Sequence, residues 1–348
     1  MPSRCKISSV CISYTARIAS SKKIHFTVVT TITLNPLLDK TLYIDSLQRG
    51  EIHRASKSEA AAGGKGNNVA RQLTCFGIST TATGFIGGET GAILARILSE
   101  EKIVHDFVQT KSPTREGITY READGTATSF FDPPPEILPD EADLLVERCR
   151  QFIARSPQPK AEELIARWIV CAGSSPSPSA DDVFSKIIAN ANRLGVCSVL
   201  DSYGRAFLSA LDAVPTLVKV NRKEFEEAFA VTLNDDLDFQ KGLQMLLDRG
   251  IQYTVITNGA HAAYAAIKEH FWKILPPEIH AINPVGSGDA MTAGILYGFL
   301  QGWKFERCLT WGAAAGAANA QEWTVAKASM EEVQRLSERV LIKRLKRI

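Results

Sequence analysis

The 348 residues contain no Cys-x-x-Cys pair, no cluster of histidines and no apolar run long enough to span a bilayer. The seven cysteines (Cys5, Cys11, Cys75, Cys149, Cys171, Cys197 and Cys308) are scattered and odd in number. That pattern argues for reduced thiols, as in a cytoplasm, and against a disulfide framework or a zinc site. The six histidines are equally dispersed and read as surface or packing residues. Charge of one sign is scarce too. With 40 basic and 38 acidic residues the net charge is +2, which gives no nucleic-acid footprint. Two nucleotide-binding motifs are missing. In place of G-x-x-x-x-G-K-[ST], Gly64-Lys65 is followed by Gly66, and Glu59 stands where the first glycine belongs. In place of G-x-G-x-x-G, Met291 fills the sixth position after Gly286 and Gly288. There is no internal repeat and no low-complexity tract.

What is present is ordinary soluble-protein composition, 45% hydrophobic and 22% charged, in a chain long enough for one large domain or two smaller ones. Five β-branched or apolar runs end in small or polar residues: His25–Leu34, Trp168–Ala172, Cys197–Leu200, Thr216–Val220 and Thr254–Thr257. Helical patterns such as Asp181–Arg193 and Phe239–Arg249 lie between them. The alternation predicts an α/β fold with a mostly parallel sheet covered on both faces, and ligands beyond the carboxyl ends of its strands. Two stretches break the pattern. Residues 117–132 alternate around Asp124-Gly125, a hairpin signal, and residues 41–60 are extended and half polar. Together they predict a small antiparallel flap that covers a substrate, a partner subunit or both. Residues 1–25 are basic and free of acids, as in a presequence or a start placed too far upstream, and are expected to be poorly ordered. Residues 331–348 are amphipathic and basic, and predict a C-terminal helix with a solvated face.

Two glycine-rich turns each open a helical pattern. In the first, Gly63-Gly64-Lys65-Gly66-Asn67-Asn68, glycines permit close backbone approach and Lys65 adds a positive charge. Asn68 suits sugar hydroxyls. In the second, Asn283-Pro284-Val285-Gly286-Ser287-Gly288-Asp289, backbone amides can close around an anion with a carboxylate beside it. Alone, either turn reads equally well as an ordinary loop or capped helix start. Two anion-binding turns, one cationic and one acidic, suggest two phosphates, one retained and one transferred. Residues 312–320 are rich in Ala and Gly, which suits close helix packing or an adjoining nucleotide base.

At this point the sequence resembles the ribokinase-like (PfkB) sugar kinases, from about Thr31 to Ala320. Ile32–Thr41, with Asn35-Pro36 and Asp39 inside it, resembles the opening of the hexose-phosphate branch, as do Gly84–Gly91 and Thr114-Arg115. Residues 63–70 and 283–289 resemble the two family signatures, and Asn221-Arg222-Lys223-Glu224 the Asn-x-x-Glu motif. The resemblance implies a three-layer α/β/α ribokinase-like fold with a β lid, and an ATP- and Mg²⁺-dependent kinase of a phosphorylated ketohexose. It makes Asp289 the general base and Gly286, Ser287 and Gly288 the anion hole. Asp39, Gly63, Gly64 and Asn68 would hold the sugar, and Lys65 with Arg115 its phosphate. Asn221 and Glu224 would organise Mg²⁺ through water, and Thr257 and Gly259 would border the nucleotide. For Glu224 a solvated helix face is the competing reading. The lid, in this family, is often shared between two subunits.

Four departures from the family pattern stand out, one of them Asn67 in place of an apolar residue. Val220 replaces a proline before Asn221, Ala262 replaces the last glycine of the nucleotide-side turn 257–262, and the loop 173–178 is looser than usual. None removes a reacting group. Two other readings are a kinase of an unphosphorylated sugar or nucleoside, and an idle sugar-phosphate sensor that ignores nucleotide.

Overall fold

The computed structural model describes residues 26–155 and 165–347, so the expectation for residues 1–25 lies outside the described residues. From the amino end, β1 (Phe26–Thr33) leads to β2 (Leu37–Tyr43), β3 (Lys57–Gly63), α1 (Lys65–Cys75), β4 (Thr80–Ile86) and α2 (Gly88–Glu100). Two short strands, β5 (Val104–His105) and β6 (Val108–Gln109), precede the hairpin β7 (Arg115–Arg121) and β8 (Ala127–Phe131). Alternation resumes with α3 (Pro139–Arg155), β9 (Ile165–Ala172), α4 (Val183–Arg193), β10 (Cys197–Asp201), α5 (Gly204–Leu211) and β11 (Leu217–Asn221). There follow α6 (Arg222–Phe229), α7 (Asp236–Leu247), β12 (Tyr253–Thr257), β13 (Ala263–Ile267) and β14 (His270–Leu275). The chain then forms α8 (Ser287–Leu300), α9 (Phe305–Ala320), α10 (Met330–Ser337) and β15 (Leu341–Leu345).

The main sheet has the order β15-β14-β13-β12-β11-β10-β9-β1-β4-β5, with β6 also on β4. It is parallel from β12 across to β5 and antiparallel from β12 to β15. Successive side chains on a strand point to opposite faces, and here both faces are apolar. On β9, Ile169 and Cys171 join a core with Phe184 and Ile187 of α4, Phe207 of α5 and Leu243 of α7. Trp168 and Val170 join another with Val69 and Leu73 of α1, Ile295 and Phe299 of α8, and Leu309 of α9. Each such side chain contributes roughly 1.5–3 kcal/mol by leaving water. The alanine and glycine run at 312–320 serves this packing. A Cβ on Gly294 of α8 would lie 2.8 Å from the Gly312 Cα of α9, so the two backbones touch only because both residues are glycine.

A second sheet, ordered β3-β2-β7-β8, stands apart as the lid. It is antiparallel within each hairpin, β2–β3 and β7–β8, and the two hairpins meet along the parallel pair β2–β7. Its strands start earlier than residues 41 and 117, at Leu37 and Arg115.

The end of the chain departs from expectation. The basic segment expected as a helix to residue 348 is helical only to Ser337, and Leu341–Leu345 forms a strand antiparallel to β14. The reason is tertiary. Without it, β14 would expose a row of unpaired N–H and C=O groups, and Leu341–Leu345, led in by the β-branched Val340 and containing the β-branched Ile342, pairs with them.

Candidate active site

The carboxyl ends of the central strands carry polar residues where the sheet meets the starts of α1 and α8. Asp201 ends β10, Asn221 ends β11 and Thr257 ends β12, with Asn221 and Thr257 paired in register. Asp289 lies in the first turn of α8, behind Gly286, which adopts φ 78° as the residue before the helix. Only glycine takes that conformation without strain, and a Cβ there would also collide with Val325. The turn is held from behind by Asn319 of α9, buried and fully engaged. Its Nδ2 donates to the Val285 carbonyl (2.8 Å) and the Ser287 Oγ (3.1 Å), while its Oδ1 accepts from the Ala326 amide.

Asp289 is buried and accepts a hydrogen bond from the Asn68 amide, 2.7 Å. Asn68 is aligned in turn by Arg71, which donates to its Oδ1 at 2.8 Å. Burial pushes the Asp289 carboxyl up to about 6, helped by the nearby Asp201 charge and opposed by Lys65 and Asn68. Asp201 is the centre of the charge network. Its Oδ1 accepts from Lys65 (3.2 Å), and its Oδ2 from Lys219 (2.7 Å) and the Thr292 hydroxyl (2.7 Å). Burial alone would raise its pKa, but the two ammonium groups outweigh that and hold it well below the usual carboxylate range. Lys65 also pairs with Glu224 at 3.0 Å. Burial opposes its charge, yet Asp201, Glu224 and Asp289 together raise its pKa well above the ordinary lysine value. Two buried carboxylates that feel each other's charge are thus pushed apart, Asp201 held ionised and Asp289 raised to about 6.

Glu224 is not a solvated face. It forms a capping box with Asn221, whose Oδ1 accepts from the Glu224 amide (2.9 Å) while the Glu224 Oε2 accepts from the Asn221 amide (3.1 Å). The other carboxylate oxygen holds Lys65. Among the described residues no group of three or more acidic, histidine or cysteine side chains could enclose a metal. The donor set, hard oxygens already hydrogen-bonded, fits a hydrated Mg²⁺ held through water better than one stripped of its shell.

On the lid, Asp39 of β2 and Arg115 of β7 lie on one face, since Leu37 is in register with Arg115 and Asp39 with Gly117. Arg121 of that same face lies 3.7 Å from the Trp323 ring centroid, so the face is turned toward the body of the protein. The opposite face carries its own ion pair, Lys40–Glu116 at 2.7 Å. Three polar atoms near the strand ends are buried without a protein partner: the Asn35 Oδ1, the Asp39 Oδ1 and the Arg115 Nε. Burial raises the Asp39 carboxyl, with Arg71 pulling it back, and lowers the Arg115 guanidinium. The Lys65 ammonium also lies over an aromatic ring, its Nζ 5.3 Å from the Tyr203 centroid.

A sequence profile of PfkB family carbohydrate kinases matches residues 29–331. The chain belongs to this family. Phosphofructokinase-2 of Escherichia coli, solved with potassium, is 26% identical over 89% of this chain and 98% of that one, with a TM-score of 0.81. A Thermotoga maritima protein described as a possible 1-phosphofructokinase superposes with a TM-score of 0.79 at 24% identity, over 92% of this chain and 100% of that one. The T. maritima ribokinase does so at 0.69 and 16%, over 90% and 100%, and these last two share the fold. As a PfkB carbohydrate kinase the chain is a phosphotransferase, and ATP is the donor that membership implies.

Among the residues expected in the site, the structure joins Lys65 to Glu224, Asn68 to Asp289 and Asn221 to Thr257. Gly63 and Gly64 form the β3–α1 junction, with Gly64 as the residue before the helix. Lys65 is committed to two carboxylates, leaving one N–H of its ammonium for a ligand. Gly259 sits in an open turn beyond β12, with no atom within 4 Å of its Cβ position. Sequence reasoning missed Asp201, Lys219, Thr292 and Asn319. The polar ending of the β10 run was the one signal for Asp201, whereas Lys219 and Thr292 gain their meaning only by facing it.

Proposed function

We propose that this kinase transfers the γ-phosphoryl group of ATP to a hydroxyl of a phosphorylated ketohexose, of the fructose 1-phosphate or tagatose 6-phosphate type, giving a bisphosphate. The observation that carries this reading is the pair of partnerless buried atoms on the inner lid face, the Arg115 Nε and the Asp39 Oδ1. A buried polar group without a partner is costly, and a sugar phosphate supplies both at once: a phosphate for the guanidinium and hydroxyls for the carboxylate. In support, E. coli phosphofructokinase-2, 25% identical, has been solved in complex with fructose-6-phosphate.

In this mechanism Asp39, Gly63, Gly64, Asn68 and Asn35 orient the sugar, and Arg115 with the remaining Lys65 N–H holds the phosphate already present. Asn68 occupies Oδ2 of Asp289, which leaves Oδ1 to take the proton of the attacking hydroxyl. The amides of Gly286, Ser287 and Gly288 at the start of α8 stabilise the charge that develops on the transferred group. Asn221 and Glu224 would hold Mg²⁺ through water, and the ion would supply charge neutralisation to the nucleotide phosphates. Thr257 and Gly259 border the nucleotide. A second copy of the chain covers the outer lid face, where Phe130 is 60% exposed beside Tyr120 and Ile118.

The test is ADP release measured over a panel of fructose 1-phosphate, tagatose 6-phosphate, fructose 6-phosphate and the bare sugars. Activity confined to the phosphosugars is expected, with Arg115→Ala raising the KM for the sugar phosphate by about 10- to 100-fold and leaving kcat within about threefold. The commitment of Lys65 to Asp201 and Glu224 favours a second reading, a kinase of an unphosphorylated sugar, in which Arg115→Ala would leave the KM unchanged.

A further inference from the structure

One residue joins the lid to the anion-binding turn, its ring facing the lid and its backbone carbonyl facing the turn. Trp323 follows α9, and the guanidinium of Arg121, the last residue of β7, lies 3.7 Å from its ring centroid. Tyr43, the last residue of β2, stands beside that guanidinium, its ring centroid 5.7 Å from it and 6.5 Å from that of Trp323. The ends of both central lid strands therefore meet at Trp323. From there the contacts run to the turn. The Trp323 carbonyl accepts from the Asn283 Nδ2 at 2.9 Å, and the Asn283 Oδ1 accepts from the Val285 amide at 3.1 Å. Val325, two residues beyond Trp323, fills the space over Gly286, and Ala326 closes the loop onto Asn319. The loop 321–326 thus clasps residues 283–287 from one side and offers an aromatic face to the lid from the other.

We propose that Trp323 is a positioning residue that ties the lid to the Gly286–Asp289 turn, so that the seating of the sugar cover and the alignment of the phosphoryl-binding amides are one event. Arg121 is the lid's half of this latch. Its guanidinium is weakly hydrated and keeps its charge when stacked on an indole face, so the contact is favourable in a half-buried site. Because one packed chain connects the two places, a change on the lid is felt at the turn without any contact to ATP. The kinetic consequence rests on the phosphotransfer reading above, whereas the mechanical coupling does not.

The experiment is amide hydrogen exchange of residues 283–290 in the full chain, combined with steady-state kinetics. Arg121→Ala, which alters only the lid side, is expected to speed exchange at the turn by about fivefold, as is Trp323→Ala, with the double variant no faster than either. Trp323→Phe keeps a ring for Arg121 and retains slow exchange. Both alanine variants are expected to lower kcat about tenfold while the KM for ATP stays within about twofold, and Trp323→Phe to restore kcat. Exchange at the turn unchanged in Arg121→Ala, or additive effects in the double variant, would overturn the proposal. A wild-type chain that releases no ADP with any sugar phosphate would refute the phosphosugar reading alone, since exchange still reads the coupling.

Discussion

At the scale of single residues, the chemistry turns on two buried aspartates treated in opposite ways. Asp201 meets two lysines and a threonine and stays ionised, while Asp289 meets one amide and is lifted from an ordinary 3.8 to about 6. A base must be ionised to accept a proton, so activity should be fully present above that value and fall as pH drops through it, about tenfold per unit. A pH–rate profile whose acid limb lies near 4 would refute the raised pKa of Asp289, whereas one with no acid limb would refute its role as base. Asp289→Asn should lower kcat by about 10²- to 10⁴-fold with little change in melting temperature, because the amide is isosteric and relieves a buried charge. Asp289 was legible in the sequence because it sits beside glycines at a helix start. Asp201 was not, since its partners Lys65, Lys219 and Thr292 are 136, 18 and 91 residues away along the chain.

At the scale of elements, periodicity and turn chemistry located most of the strands and helices. The run Cys197–Leu200 became β10, the pattern at 181–193 became α4 from Val183, and Asp124-Gly125 turns the β7–β8 hairpin. The C-terminal segment was misjudged because its charge pattern suits a helix end as well as an edge strand. Only the unpaired edge of β14 decides between them. Removing residues 341–348 should therefore destabilise the protein by roughly 2–4 kcal/mol, from the five paired residues and the half-buried Ile342 and Leu345. Unfolding in urea would measure it. A truncated chain with unchanged stability would mean that β14 needs no partner, and a surface-helix end would predict that result.

At the scale of the whole molecule, the lid holds Asp39, Arg115 and Arg121 on its inner face, and on its outer face an aromatic pair, Tyr120 and Phe130, with Phe130 60% exposed. Sedimentation at micromolar concentration should find a dimer, and Phe130→Asp should shift it toward monomer. A monomer in both cases would leave the lid as a cover for one subunit alone. By itself the sequence determined the layers, the flap and the two glycine turns, because helix and strand periods, hairpin turns and glycine-permitted bends are local properties of the chain. Only the tertiary structure decided which carboxylate is ionised, that Lys65 is already engaged, and that Trp323 stands between lid and turn. Those depend on which distant side chains share a low-dielectric space, and no local pattern records that.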